Sequence, residues 1–396
     1  MMKVHPHLSM SLELLDRYDG SLPFHLYLKK YFQQNRRCGS RDRKQIKRLC
    51  FAWFRCGRLL VGMGSMERMR WSLYLVTDQR DPFYDSINGD RDGVDPELDP
   101  EDSPGVKLAR VFQLTGKRPE DAFPLWSEVS DLVDYSALVN TLFVQPRVWL
   151  RVRSEHRADV GDALREAGIP FEWNTETPNA LSVSAESPLD KLQFAEKGWA
   201  EVQDLSSQRT LSYMHVRDNE HWYDACAASG GKALLLLDAF PDVRLTVSDN
   251  RPSILVNLRE RFRRNGLKLP QSFLCDLLSG DPQFPPGQFP DAIIADVPCS
   301  GSGTWSRTPE RLTYFSKDEL DHHVETQKSI TQRLTRLLKA GGRLVYITCS
   351  VYACENEDRV NALCNSEGME LLSMGYLQGS SEGADTLFCA ELVKKG

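Results

Sequence analysis

Several things missing from this 396-residue sequence narrow its class before any motif is read. No apolar stretch approaches the roughly 20 residues that a bilayer-crossing helix needs, so no membrane partner is expected. The opening Met1-Met2-Lys3-Val4-His5-Pro6-His7 lacks a signal-peptide core, and a cytoplasmic location follows as the expectation. The ten cysteines contain no CxxC spacing, and the chain is far too long for a disulfide scaffold. The eight histidines form no zinc-type pattern with them. His322 and His323 are adjacent, but neighbouring helical positions point about 100° apart, so the pair reads as solvated and no metal is expected. Also absent are a GxGxxG fingerprint, a GxxxxGKS phosphate loop and any internal repeat.

What is present is an ordinary globular composition, 41% hydrophobic and 26% charged, with length enough for two or three domains. The net charge of −6 argues against wholesale coating of nucleic acid. Its distribution is uneven. Arg36 to Arg58 holds nine basic residues against Asp42 alone, and Arg251 to Lys268 holds six against Glu260. Asp90 to Asp102 is strongly acidic. Basic stripes on an acidic protein suit a polyanion held at one face, while on charge alone a solvated helix face is the favoured reading.

In chain order, residues 1–77 read as helices, with apolar residues such as Leu28, Tyr31-Phe32, Ile46, Leu49-Cys50 and Trp53-Phe54 at helical spacing. Ser40 before Arg41-Asp42-Arg43 is a helix start. Residues 78–114, with four prolines and the clustered acids, read as a linker. Residues 115–203 form a small α+β unit. Its strands are expected at Val148–Val152, Phe171–Trp173 and Ala180–Val183, with helices at Ala158–Ala167 and Pro188–Glu196. From 204 to 396 strands and helices alternate, giving seven strands, the last antiparallel. The fold class is therefore α/β, a doubly wound sheet preceded by the small α+β unit and a helical region.

The chemistry gathers at strand ends. Ala292–Ala295 and Leu344–Ile347 are short apolar runs of the buried-strand type, joined by a helical stretch from Leu320 to Lys339 that Gly341-Gly342 stops. Strand, helix, strand predicts a right-handed parallel crossover whose two strands lie side by side, about 4.8 Å apart. Asp296-Val297-Pro298-Cys299 and Thr348-Cys349-Ser350 would then face one crevice at the carboxyl end of the sheet, where such folds bind ligands. Free cysteines are usually small buried hydrophobes, which suits Cys50, Cys56, Cys275, Cys354, Cys364 and Cys389. Cys299 and Cys349 sit instead among polar and glycine residues, where a thiolate has access. A regulatory disulfide between them is the alternative that reducing conditions disfavour.

Earlier strand ends complete a pocket. The first βα turn, Cys226-Ala227-Ala228-Ser229-Gly230-Gly231-Lys232, presents backbone amides at a helix amino terminus. Asp249 ends the second strand, where a carboxylate commonly accepts ribose hydroxyls, and Asp276 ends the third, beside an adenine edge. A cap for the turn that follows is the alternative reading of each acid.

These residues carry a resemblance. Gln203-Asp204-Leu205-Ser206-Ser207-Gln208, Asp224 to Lys232, Asp296 to Gly303, Gln327, and Thr348-Cys349-Ser350 with Glu355-Asn356-Glu357 occur in the order seen in the RNA cytosine-C5 methyltransferases of the Sun/Fmu and nucleolar-protein type. The resemblance runs from about Phe123 to the end. Through Gly39 to Arg43 the first helices also resemble the NusB-like RNA-binding domain of some bacterial members. It implies an RRM-like small domain, a Rossmann-like methyltransferase domain, S-adenosylmethionine as cofactor and RNA as partner, held by the stripes 36–58 and 251–268. It further implies Cys349 as the nucleophile toward cytosine C6, Cys299 as the residue that helps release it, and Asp296 on the N3/N4 edge. The implied cofactor residues are Cys226 to Lys232, Asp249, Asp276 and Asp296. A monomer acting on ribosomal RNA, or failing that transfer RNA, is expected. The family usually has proline at Ser229, threonine at Ala233 and asparagine at Arg153.

Two rivals stay open. One is a catalytically silent RNA-binding assembly factor on the same fold. The other is a DNA cytosine-C5 methyltransferase with Cys299 as nucleophile, which would leave Cys349 without a role.

Overall fold

Strands that are apolar on both faces must be covered on both faces, and this determines the larger sheet. The computed structural model describes residues 5–35, 38–88, 98–194, 196–285 and 287–396. The chain divides into two compact units, one of Met1–Ser127, Tyr135–Gln145 and Trp305–Lys317, the other of Glu128–Asp134, Pro146–Thr304 and Asp318–Gly396.

The first unit is helical. Helices Pro6–Arg17, Phe24–Gln34, Ser40–Arg55 and Ser65–Val76 bury Leu14, Phe24, Leu28, Ile46, Phe54 and Leu73 in one apolar cluster. The Ser40 helix starts where expected, but its cap is Gly39, whose backbone N–H donates to Asp42 Oδ2 at 2.8 Å. Two stretches read as linker are helical, Pro82–Asn88 and Pro104–Thr115. The proline at the first position of each has no N–H to lose there, and Gly116, at φ +66°, ends the second helix in the left-handed conformation. Prolines counted as breakers were helix starts. Asp90 and the rest of 89–97, the core of the acidic run, lie outside the described residues, as do Arg36 and Arg37.

The second unit holds two sheets. Strands β1 (Val148–Val152), β2 (Phe171–Trp173), β3 (Ala180–Val183) and β4 (Ala200–Val202) form an antiparallel sheet in the order β2-β3-β1-β4. Helix Arg157–Glu166 packs on it through Val160 and Leu164. The helix expected over Pro188–Glu196 is only a 3-10 turn at Leu189–Lys191. Phe194 has to reach the core of this sheet and Ala200 must pair with β1, which a continuous helix would prevent.

The larger sheet contains β5 (His221–Asp224), β6 (Arg244–Asp249), β7 (Gln271–Leu274), β8 (Ala292–Asp296), β9 (Arg343–Thr348), β10 (Met369–Gln378) and β11 (Thr386–Lys394). Their order is β10-β11-β9-β8-β5-β6-β7, with β11 antiparallel to both its neighbours. Side chains alternate between faces. Trp222, Ile294 and Ile347 meet helices Gly231–Ala239 and Pro252–Arg264 on one side. Tyr223, Ile293 and Tyr346 meet helices Lys317–Leu337 and Glu357–Ser366 on the other. The order reverses at β5 and β8, the point where doubly wound sheets open a crevice.

Candidate active site

Parallel pairing of β8 with β9 sets the site. Asp296 is in register with Ile347, and Val297 N–H donates to Ile347 O at 3.1 Å, so the loops that follow leave the sheet together. Cys299 and Cys349 face each other with 3.4 Å between sulfurs, and the Cys349 backbone N–H donates to Cys299 Sγ at 3.3 Å. Gly303 makes this approach feasible: its N–H donates to Cys349 O at 2.9 Å, and a Cβ there would lie 1.9 Å from Thr386 O. The hydrogen bond with Cys349, then burial, then the nearby Cys349 and Glu355 charges push the Cys299 thiol well above its ordinary range. Cys299 is thus biased toward its protonated form, within hydrogen-bond distance of the Cys349 sulfur.

Asp296 Oδ2 accepts a hydrogen bond from Lys232 Nζ at 2.6 Å. Burial works against the Lys232 charge, but Asp296, Cys349 and Asp224 together outweigh it and raise the pKa. Lys232 thus brings a positive charge to the sulfur pair and Asp296 alike. Asp224, at the end of β5, is buried with both carboxylate oxygens lacking a hydrogen-bond partner. Burial and then the Asp296 carboxylate push it up to about 7.

A cavity of about 540 Å³ opens beside these groups. Asp296, Cys299 and Cys349 form one end. Ala225, Cys226, Ala228, Asp249 and Asp276 line the sheet side, and Thr326 and Ile330 of helix Lys317–Leu337 close the opposite side. The size and the acids at successive strand ends, Asp249, Asp276 and Asp296, fit a ligand carrying hydroxyls and a positive charge. Asp249 and Asp276 also serve the turns that follow them. Asp249 accepts from the N–H of Ala228 at 3.0 Å and of Arg251 at 3.0 Å, and pairs with the Arg251 guanidinium at 2.9 Å. Burial would raise its pKa, but those Arg251 hydrogen bonds hold it below the usual carboxylate range. Asp276 accepts from Leu278 N–H and Ser279 Oγ.

The remaining loop residues stand behind the cavity. Ala227 is buried, with its N–H on Ser248 O. Ser229 faces Arg261, which donates to its Oγ at 3.1 Å and to Glu201 of β4 at 2.8 Å. Gly230 has φ +84° and packs so close to Leu258 and Phe262 that a Cβ would touch both, and Gly231 O accepts from Gln203 Nε2. Ala228, at φ +45°, is a non-glycine residue in the left-handed region, a strained conformation of the kind that gathers at ligand sites. Cys275, expected to be core, is half-buried on the cavity wall, and Cys354 and Cys364 are half-buried too.

Motif reading missed Lys232 as a side chain, Asp224 as an unpartnered acid and Glu355 as a hub. Glu355 Oε2 accepts from Ser300 and Ser350 hydroxyls at 2.5 Å each, and Oε1 from Ser300 N–H and Gln327 Nε2. The only signal was the recurrence of Glu355-Asn356-Glu357 after Thr348-Cys349-Ser350.

The basic stripes are partly spent on structure. Arg55 is buried against the Leu142 and Val144 carbonyls, Arg48 pairs with Asp81, and Arg261 with Glu201. Arg41, Lys47, Arg58, Arg263 and Lys268 remain exposed. Among the described residues no helix is long and apolar enough to cross a membrane, and no three His, Cys, Asp or Glu residues cluster as a metal site would require.

Residues 211–387 match the family of 16S rRNA methyltransferases RsmB/F. The chain is 30% identical over 296 residues to the ribosomal RNA small subunit methyltransferase B of Escherichia coli O6:H1, and equally to that of Shigella sonnei. Each alignment covers 70% of this chain and 65% of the relative, so the chain spans about two-thirds, slightly under, of the curated relatives it matches. Among solved structures, PH0851 aligns over 99% of both chains with a TM-score of 0.70 at 17% identity. NSun6 from Pyrococcus horikoshii, solved with SFG, aligns over 66% of this chain and 94% of its own, with a TM-score of 0.57 at 16% identity. These two likenesses are of fold.

Proposed function

Because residues 211–387 match the RsmB/F family of RNA methyltransferases, we propose that the chain is one of them and methylates C5 of a specific cytidine in RNA with S-adenosylmethionine as methyl donor. Ribosomal RNA is the first substrate class and transfer RNA the second. The single observation that carries this reading is the pair of sulfurs 3.4 Å apart, beside Asp296, at one end of a cavity of cofactor size.

Cytosine C5 is a poor nucleophile until something adds at C6. Cys349 adds there through its sulfur, aided by the Lys232 charge and by the Cys299 thiol 3.4 Å away. Asp296 holds the N3/N4 edge and stabilises charge developing on the ring, while Lys232 keeps its carboxylate oriented. S-adenosylmethionine supplies the methyl group. With the Cys349 sulfur bonded to carbon, Cys299 gives its proton to water and takes up the one from C5, after which elimination re-forms the C5–C6 double bond and frees Cys349.

The cofactor would be held at the first βα turn, through Cys226 and Ala228 on the cavity wall with Ala227 and Ser229 to Lys232 supporting them, and Asp249, Asp276 and Asp296 would serve its ribose hydroxyls, adenine edge and methionine end. Engaging Asp249 in this way requires Arg251 to yield one face of the carboxylate. The cytidine must be unstacked to meet these groups, which suits a single-stranded or flipped base. The exposed cations of the stripes 36–58 and 251–268 take its phosphates, with the helical region and the small sheet as docking elements.

The test is transfer of labelled methyl from S-adenosylmethionine to purified small-subunit ribosomal RNA, followed by bisulfite mapping of the product. One protected cytidine is expected. Label on DNA, or no label on any RNA, would overturn the proposal.

A further inference from the structure

Behind the two cysteines lies a polar cluster that the chemistry above does not use. Glu355 has no exposed surface, yet all four of its nearest donors come from residues that flank or support the cysteines. Ser300, next to Cys299, donates through its hydroxyl at 2.5 Å and its backbone N–H at 2.9 Å. Ser350, next to Cys349, donates its hydroxyl to the same Oε2 at 2.5 Å. Gln327, also fully buried, donates to Oε1 at 2.8 Å and to the carbonyl of Pro298 at 3.0 Å, on the other side of Cys299. One carboxylate therefore spans two loops fifty residues apart in sequence, and touches the neighbour of each sulfur.

The next residue extends the grip. Asn356 Oδ1 accepts from Thr348 Oγ1 at 2.5 Å, and its Nδ2 donates to Ser350 O at 2.9 Å, so Cys349 is bracketed before and after. Tyr346 Oη donates to the Glu355 carbonyl at 2.6 Å and ties the cluster to β9 itself. A buried carboxylate is costly unless its acceptor positions are filled, and here each oxygen has two donors. Such a group persists where it fixes one geometry, and the geometry it fixes is the separation of the sulfurs.

We propose that Glu355 is a positioning residue that holds Cys299 and Cys349 at reacting distance by clamping Ser300 and Ser350 together. The proposal rests on the methyl-transfer reading for its consequence, but not for its geometry. Glu355 touches no reacting atom. Its effect passes through the two serines, and a displacement of about 1 Å at a reacting group can lower a rate about 100-fold.

Proximity of the sulfurs can be read without any RNA, by oxidising the whole chain with diamide and following the Cys299–Cys349 cross-link by peptide mass spectrometry. Two thiols are oxidised, diamide is reduced to its hydrazine, and the sulfurs join. Wild type is expected to cross-link readily and Glu355→Gln, which keeps the volume and loses the charge, at least about tenfold more slowly. In methyl transfer the same variant should lose kcat about 100-fold while cofactor affinity stays within twofold, because Glu355 contacts none of Cys226 to Lys232, Asp249, Asp276 or Asp296. The double variant Ser300→Ala, Ser350→Ala removes two donors, leaves Glu355 in place and should slow cross-linking likewise. It decides the matter if Glu355→Gln does not fold. Cross-linking as fast as wild type in a folded variant would overturn the proposal, as would kcat and cofactor affinity falling together. Wild type that cross-links but transfers no methyl would instead overturn the functional reading.

Discussion

Cys299 and Cys349 stand on loops tied to a common buried carboxylate, whereas Asp249 and Asp276 stand on loops tied mainly to themselves. At the sulfur end Glu355, Gln327 and Asn356 fill their hydrogen bonds with the cysteine loops, and Gly303 lets backbone meet backbone. At the cofactor end the Asp249 carboxylate is held by the Ala228 N–H and by Arg251 of its own turn, and Arg251 is more than half exposed. Asp276 caps its own turn in solvent. The difference follows from what each end does. A bond between sulfur and carbon needs a fixed separation, while a cofactor that enters and leaves each turnover needs carboxylates that can change partners.

Substitutions at the two ends should therefore fail in different ways. Asp296→Asn keeps the shape, weakens the bond to Lys232 and removes the charge set against the cytosine edge. Its kcat is expected to fall by a factor of about 100 to 1,000 with little change in cofactor KM. An unchanged kcat would remove Asp296 from the chemistry. Asp249→Ala should do the opposite, raising cofactor KM about 10- to 100-fold through lost hydrogen bonds to a charged acceptor while saturated kcat stays within threefold. A loss confined to kcat would place Asp249 outside the cofactor site.

A third difference concerns stability rather than turnover and rests on Asp224, at the end of β5. Its folded pKa, about 7, exceeds the ordinary 3.8, so between those values the folded chain keeps a proton that the unfolded chain has lost. The stability contribution of this group is therefore full below about pH 4 and is lost as pH rises through 7, by up to about 1.4 kcal/mol per pH unit. Melting temperatures of wild type and Asp224→Asn should draw apart over that range, with the variant gaining as pH rises. A constant offset would show that Asp224 is ionised throughout.

Much of this was legible in the residues. Ala292–Ala295 and Leu344–Ile347 are apolar on both faces, which is the mark of a central parallel strand, and their pairing brings the two cysteines together. Local punctuation was less faithful. Pro82 and Pro104 start helices where prolines were counted as breakers, and β4 is three residues long with Val202 exposed, too short to show a period. Glu355 joins Gln327 and Ser300, 28 and 55 positions away, and Lys232 joins Asp296, 64 away, separations that no local pattern spans. The acids at 249 and 276 were read as either caps or ligands. In the structure each is a cap that also lines the cavity.

The two cysteines have the same element and nearly the same place, so only the fate of trapped RNA separates their roles. The direct measurement is denaturing gel electrophoresis of labelled ribosomal RNA after incubation with S-adenosylmethionine and either cysteine variant. Cys299→Ala is expected to accumulate a covalent protein–RNA band, and Cys349→Ala to give neither band nor methylated product. A band with Cys349→Ala and none with Cys299→Ala would contradict the account and make Cys299 the nucleophile.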